Sequence, residues 1–373
     1  MRDLYALELM QLSKELQSLR DFYIDQFYEL AKGRFRIRLS RKGEKANLQI
    51  ILPNTINRTD FLEIKEDATN FSLAVRKRIT GFQIGEVSQY NNDRIILIRA
   101  KKPDNEINII LELFGKGNLV IADHAMRILL AYQVHEFSDR AIRPNATYRP
   151  PKNASVGIHE SAGIDKVAEE LKSKIEGAAL LPYLTKRIAM GSMYIEEAAK
   201  RAGLSTTSKL SELADKDIDA LFAEISIIIK ECTENPKPVV YLEGESIIDF
   251  ALCRISKYGH LQWQDFPTLE SCLDHIYSRI KLEEDVINED AERVKTSINR
   301  QLEILAQIDD EIAENKSKGN YVMNHMHEIN RMIGYAASNK RIKKEEIRPE
   351  LRNLEVLEID LKNKRLKIKV EGD

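Results

Sequence analysis

A chain of 373 residues is longer than a single hydrophobic core usually supports, and its 43% hydrophobic content is enough to fill two or three. Its 57 lysines and arginines nearly balance 59 aspartates and glutamates. Overall charge therefore carries no argument for or against a nucleic-acid partner, and only local clustering can.

The opening Met1-Arg2-Asp3-Leu4 lacks the basic region and apolar run of a signal peptide. Leu4, Leu7, Leu12, Leu16 and Leu19 follow at largely helical spacing and predict an amphipathic helix over residues 4–20. After Gly33 the period changes to two. Phe35, Ile37 and Leu39 alternate with Arg34, Arg36 and Arg38, the pattern of a half-buried strand. Further strands are expected at 48–52, 94–99, 107–113, 119–122 and 127–133, with a helix over 71–82. The short turns Lys102-Pro103-Asp104-Asn105 and Gly115-Lys116-Gly117-Asn118 favour an antiparallel sheet over βαβ units.

Tyr148-Arg149-Pro150-Pro151 closes a β-rich domain assigned to residues 1–155. A helical domain containing a helix-hairpin-helix follows over 156–234, then a short β segment over 235–268 that returns to the head. From Leu269 a heptad seam runs through Leu273, Ile280, Ile287, Val294, Gln301 and Ile308, and through Tyr277, Glu284, Ala291, Ile298, Leu305 and Ile312. Sustained period-seven spacing predicts a long coiled-coil arm over 269–340, broken near Gly319 before a second helix over 321–337. Residues 341–373 are expected to end in a β-hairpin at the arm tip. The fold class is thus α+β, a β-rich domain, a helical domain and an arm. No apolar run approaches the roughly 20 residues of a membrane span. Cys232, Cys253 and Cys272 form no CxxC spacing, so the expected setting is a reducing cytoplasm without a membrane.

Several groups are candidates for binding. Between Lys32 and Lys45 there are seven lysines and arginines against one glutamate. Within that stretch Arg34, Arg36 and Arg38 would project from one strand face at about 7 Å intervals, with Lys42 nearby. This spacing suits successive RNA phosphates and equally suits an ordinary solvated face. Asp93-Arg94 follows Asn91-Asn92 in a turn, where capping or a surface ion pair is the plain alternative. Gly191-Ser192-Met193 joins two helices in a turn whose amides can meet phosphates, or can simply close a hairpin. No hydrolytic or metal-binding constellation and no cofactor motif is visible, so a non-enzymatic binding protein is expected.

Several segments occur together and in order: Met1-Arg2-Asp3-Leu4-Tyr5-Ala6-Leu7-Glu8-Leu9, Asn92-Asp93-Arg94-Ile95-Ile96, Leu111-Glu112-Leu113-Phe114-Gly115-Lys116-Gly117-Asn118, Tyr148-Arg149-Pro150-Pro151, Phe266-Pro267-Thr268-Leu269 and Lys318-Gly319-Asn320-Tyr321. Together they resemble the NFACT family across essentially the whole chain. The resemblance implies a head distantly similar to the formamidopyrimidine-DNA glycosylase fold. It also implies a cytoplasmic ribosome quality-control factor. Such a factor binds the large ribosomal subunit, its rRNA and peptidyl-tRNA, and recruits aminoacyl-tRNA for template-free C-terminal tailing of stalled chains. The ribosome performs peptide transfer, and the factor supplies positioning. By the same resemblance Asp93 and Arg94 match the pair linked to tRNA engagement and tailing, and Glu8 stands where the family often has Asp. The family continues past the arm with a returning helix and a basic RNA-binding domain. A chain ending at Asp373 is therefore expected to be truncated, and its seam free to form a coiled-coil dimer. Two other classes are carried alongside. A DNA-repair glycosylase needs an N-terminal proline amine, where this chain has Met1-Arg2-Asp3. A fibronectin-binding adhesin follows an older family label and needs export.

Overall fold

The N-terminal leucines wind into α1 (Ala6–Glu15) and a 3-10 turn, Leu16–Leu19, that buries Leu7, Leu9, Leu12, Leu16 and Leu19. The chain then enters β1 (Tyr23–Ala31), β2 (Arg34–Arg41), β3 (Glu44–Ile51) and β4 (Thr55–Arg58). After α2 (Asn70–Ile79) come β5 (Gln83–Gln89), β6 (Ile95–Lys102), β7 (Asn105–Glu112), β8 (Asn118–Asp123) and β9 (Ile128–Ala131). All nine strands form one antiparallel sheet in the order β4-β3-β2-β1-β5-β6-β7-β8-β9. The expected alternation holds in β2, where Phe35, Ile37 and Leu39 are buried. β6 and β7 are buried on both faces: Ile96, Ile98, Ile109 and Leu111 join the main core, while Ile95, Leu97 and Ile110 pack with Tyr148 in a second one. This is a computed structural model, and it describes residues 1–62, 68–153, 155–173, 178–338, 356–360 and 365–369.

A two-rung ladder, β10 (His135–Glu136) and β11 (Ala141–Ile142), precedes the helices α3 (Ser161–Lys172), α4 (Leu180–Arg187), α5 (Ser192–Arg201) and α6 (Asp215–Thr233). A small sheet of β12 (Val239–Glu243), β13 (Ser246–Ala251) and β14 (Gln262–Asp265) follows in the order β13-β12-β14. The first of two units spans Met1–Lys281. The boundaries drawn at 155, 234 and 268 fall within it, and leucines of α1, the sheet and α6 belong to one apolar core.

The helix α7 (Leu269–Asn324) runs 56 residues, about 84 Å at 1.5 Å per residue. The Thr268 hydroxyl caps Ser271 N–H, and the Glu15 carboxylate accepts from the amides of Leu269 and Glu270, placing an anion at the positive helix end. Leu273, Ile276 and Tyr277 are buried in the core of the first unit. Farther along, in the second unit (Leu282–Asp373), Val294, Ile298, Leu302, Leu305, Ile308 and Ile312 are exposed. The break expected at Gly319 does not occur there. A helical glycine costs only about 1 kcal/mol relative to alanine, and α7 runs through it to Asn324. A helix α8 (Met326–Ser338) starts later than the predicted 321. β15 (Val356–Asp360) and β16 (Arg365–Ile368) pair antiparallel as the expected hairpin, and Met332 of α8 packs with Val356. Residues 339–355, 361–364 and 370–373, over which the rest of the arm and the hairpin were expected, lie outside the described residues. No described helix is long and apolar enough to cross a membrane.

Candidate RNA-engaging site

Three groups far apart in sequence meet at the N-terminus. Glu8 is the third residue of α1, and its carboxylate accepts from Tyr5 N–H at 2.8 Å, satisfying one of the helix's unpaired amides. It also accepts from Arg2 Nη1 and Nη2 at 2.8 and 2.6 Å and from the Tyr194 hydroxyl at 2.8 Å. Two oxygens thus take four bonds, and the side chain has no solvent exposure.

Arg2 is equally committed. Its remaining donors go to Asp249 Oδ1 at 2.9 Å, Asp3 O at 2.9 Å and Phe250 O at 2.7 Å. The rings of Tyr5 and Phe250 lie 4.4 and 4.2 Å from its guanidinium carbon. Burial opposes the charge, yet the charge and hydrogen bond of Glu8 outweigh it and hold Arg2 above its usual pKa. Tyr194 is held neutral, by burial first and then by the Glu8 charge, and its oxygen accepts from Leu252 N–H at 3.0 Å. Asp249 reaches Tyr258, whose hydroxyl donates to Oδ2 at 2.7 Å.

This hub ties three elements together. Arg2 belongs to the N-terminal segment, Tyr194 to α5, and Asp249 to β13. The hairpin turn docks on the same segment: Gly191 sits at φ +102°, and a Cβ there would fall 2.3 Å from Tyr5 Cγ. Only glycine tolerates both the angle and the approach. The Tyr5 hydroxyl lies 3.1 Å from Ser192 Oγ, and Met193 is buried.

Asp93 and Arg94 occupy the turn between β5 and β6. Asn91 and Asn92 take positive φ of 58° and 50°, as a tight hairpin turn requires. The Asp93 carboxylate caps the Arg94 amide at 2.7 Å, and Gln89 Nε2 bridges Ala6 O and Asp93 O, each at 2.9 Å. Arg94 then reaches Asp3, Nη1 to Oδ2 at 3.1 Å. Unlike the hub, this pair is one-third open: the side chains are 33% and 37% exposed.

Asp93, Arg94, Glu8, Gly191 and Ser192, picked out separately in the sequence, are therefore brought together by Arg2, Asp3 and Tyr5. Glu8 itself faces no solvent, so its part is to hold the site. Sequence reasoning missed Arg2, Asp3, Tyr194 and Asp249. The signal for the first two lay in the opening motif, whereas nothing local marks a contact spanning from Arg2 to Asp249.

The β2 stripe is built on other elements, β1, β3 and α2. Arg36 lies over the Tyr28 ring at 4.7 Å, and Arg76 of α2 approaches the same ring at 5.2 Å. Arg34 and Arg36 are half-buried, while Arg38 and Lys42 are exposed. Arg38 stands 3.9 Å from Asp25, the outer limit of an ion pair. Along the stripe the exposed cations are those toward its far end.

With this geometry in place, comparison gives its context. Residues 6–321 match the family profile described as NFACT N-terminal and middle domains. The archaeal Rqc2 homolog aRqcH of Methanocaldococcus jannaschii is 23% identical over 261 residues, covering 68% of this chain and 39% of the relative. The human ribosome quality control complex subunit NEMF is 23% identical over 301 residues, covering 73% of this chain and 27% of the relative. The chain thus spans well under half the length of these relatives. Among solved structures, the fibrinogen-binding protein from Staphylococcus aureus aligns with a TM-score of 0.60 at 18% identity. That alignment covers 73% of this chain and 98% of the other, a likeness of fold.

Proposed function

Because this chain belongs to the NFACT family, we propose that it serves in ribosome quality control, as the names of its relatives describe them. In this reading it binds the large ribosomal subunit carrying peptidyl-tRNA and recruits aminoacyl-tRNA for template-free tailing of the stalled chain, in the cytoplasm and without chemistry of its own. The observation that carries the reading is Arg94. It is an arginine on a hydrogen-bonded β-turn, one-third exposed, oriented by Asp3, whose backbone carbonyl accepts from a fully bonded Arg2. A guanidinium held this way can leave one carboxylate for a phosphate or a base edge with little reorganisation. Asp93 keeps the turn in shape, and Arg38 and Lys42 supply a second phosphate contact. The exposed apolar residues of α7 from Val294 to Ile312 are the coiled-coil surface of this reading, covered by another helix.

Filter binding of tRNA to the chain across a salt series tests it. Neutralised phosphates give a steep fall of affinity with salt, and Arg94→Ala weakens binding. Absence of binding at low salt refutes the reading. A covalent adduct trapped by borohydride on damaged duplex DNA would put glycosylase chemistry in its place.

A further inference from the structure

A second feature lies away from Arg94. Trp263, the only tryptophan in the chain, is half exposed on β14, where a soluble surface ordinarily hides an indole. The Arg254 guanidinium lies against its ring at 4.2 Å and is held by both Asp265 oxygens at 2.7 Å. Opposite Trp263 in the ladder is Tyr241, whose ring is 4.7 Å from that of Tyr258. These aromatics line a cavity of 390 Å³ together with Arg201 and Ile255. A cavity of 610 Å³ adjoins it through Glu197 and Ile255, and its lining is of another kind: Lys200, Lys257, Ser205 and Thr206, with Glu196. Both volumes fall in the range of about 300–1,000 Å³ usual for small-ligand sites.

The walls are fixed before any ligand arrives. The buried Glu197 carboxylate accepts from Ser256 N–H and Oγ–H and from Arg201 Nε. The Tyr241 oxygen accepts from Ile255 N–H, and Tyr258 is anchored on Asp249. Lys200 and Lys257 are exposed at the second cavity, and Lys257 is held loosely, 3.7 Å from Glu196 and 5.6 Å from the centre of the Tyr258 ring.

We propose that this composite groove binds a nucleotide unit, its base stacked on Trp263 and its phosphate held between Lys200 and Lys257. An aromatic floor beside a basic, hydroxyl-bearing pocket matches a flat base joined to an anion, and stacking accepts any base. The same chemistry is offered by a free mononucleotide and by a nucleotide within single-stranded RNA. The proposal rests on the RNA reading above only for the second of these sources.

As the chain's sole tryptophan, Trp263 reports occupancy directly. Titration of the whole chain with adenosine 5′-monophosphate and with a short oligoadenylate RNA should quench its fluorescence, and the quench should weaken with salt. A quench by both ligands assigns the groove to a mononucleotide; a quench by RNA alone assigns it to a strand. With a labelled oligonucleotide followed by anisotropy, Trp263→Ala should raise Kd about tenfold, while Trp263→Phe keeps most of the affinity. Lys200→Gln and Lys257→Gln should each flatten the salt slope by about one. Glu196→Gln, which removes the competing charge, should tighten binding about twofold. Absence of quenching by either ligand, or equal anisotropy for Trp263→Ala and the parent, overturns the proposal. If tRNA is still retained on filters through Arg94 in that case, the groove alone is refuted. Quenching in a chain whose tRNA binding ignores Arg94→Ala refutes the Arg94 reading instead.

Discussion

The Arg2–Glu8 and Arg94–Asp3 pairs use the same chemistry, and two of their four members are neighbours in the chain. Their surroundings set them apart. Every donor of Arg2 and every lone-pair direction of Glu8 is taken, in a site closed to water at Glu8. Arg94 and Asp3 share a single bond of 3.1 Å and remain one-third exposed. The first pair is architecture, because no donor or acceptor is left for a ligand. The second can exchange its partner, because solvent already competes for it. The one connects to the other through the Asp3 carbonyl.

Variants along that chain of contacts should separate the two. Glu8→Ala removes one of the two carboxylates that pair with the Arg2 guanidinium, leaves two of its donors unmatched and uncaps α1. It should cost about 3–5 kcal/mol in denaturant unfolding, and a loss under about 1 kcal/mol would mean the hub is not what joins α1, α5 and β13. Tyr194→Phe removes the hydroxyl that donates to Glu8 and accepts from Leu252 N–H, so about 1–3 kcal/mol should be lost by the same measurement. Arg94→Ala should change stability by no more than about 1 kcal/mol, as for other exposed pairs, while tRNA affinity falls. Arg38→Ala should leave stability unchanged and reduce the salt slope of tRNA binding by about one.

A pH series gives the smallest signal. Burial raises the Glu197 pKa, but bonds from Arg201 and Ser256 outweigh it, and the folded-state value lies below the ordinary one. A depressed carboxylate contributes stability that is present above its unfolded pKa of about 4.3 and is lost as pH falls through the folded value. Thermal unfolding below about pH 4.3 should therefore be less pH-dependent in Glu197→Gln than in the parent. Identical pH slopes would show that Glu197 is not ionised in the wall of the groove.

The strands that were legible in sequence are those with unbroken patterns. β2 alternates cleanly, and β6, β7 and β8 are apolar runs bounded by turns. β1 and β5 were not foreseen, because register shifts between Ile24 and Gln26 and between Ile84 and Glu86 break the period of two. β14 was hidden for another reason: all four of its residues are exposed, so burial never shaped its composition. The helical block needed only period 3.6 and was clear. At the site, the β5–β6 turn could be read from Asn91-Asn92, but its meaning came from resemblance. Of the hub only Glu8 and the opening motif were legible, since Glu8 and Arg2 meet partners on α5 and β13 that only the folded chain brings near.

In the proposed function Arg94 engages RNA from a scaffold it does not itself support. Parallel measurement of tRNA Kd and melting temperature for the parent and Arg94→Ala tests it most directly. The Kd of Arg94→Ala should be at least about tenfold weaker, as loss of a charge-assisted contact implies, with a melting temperature within about 4 °C of the parent. A large fall in melting temperature with an unchanged Kd would contradict it, placing Arg94 with Glu8 among the residues that hold the head together.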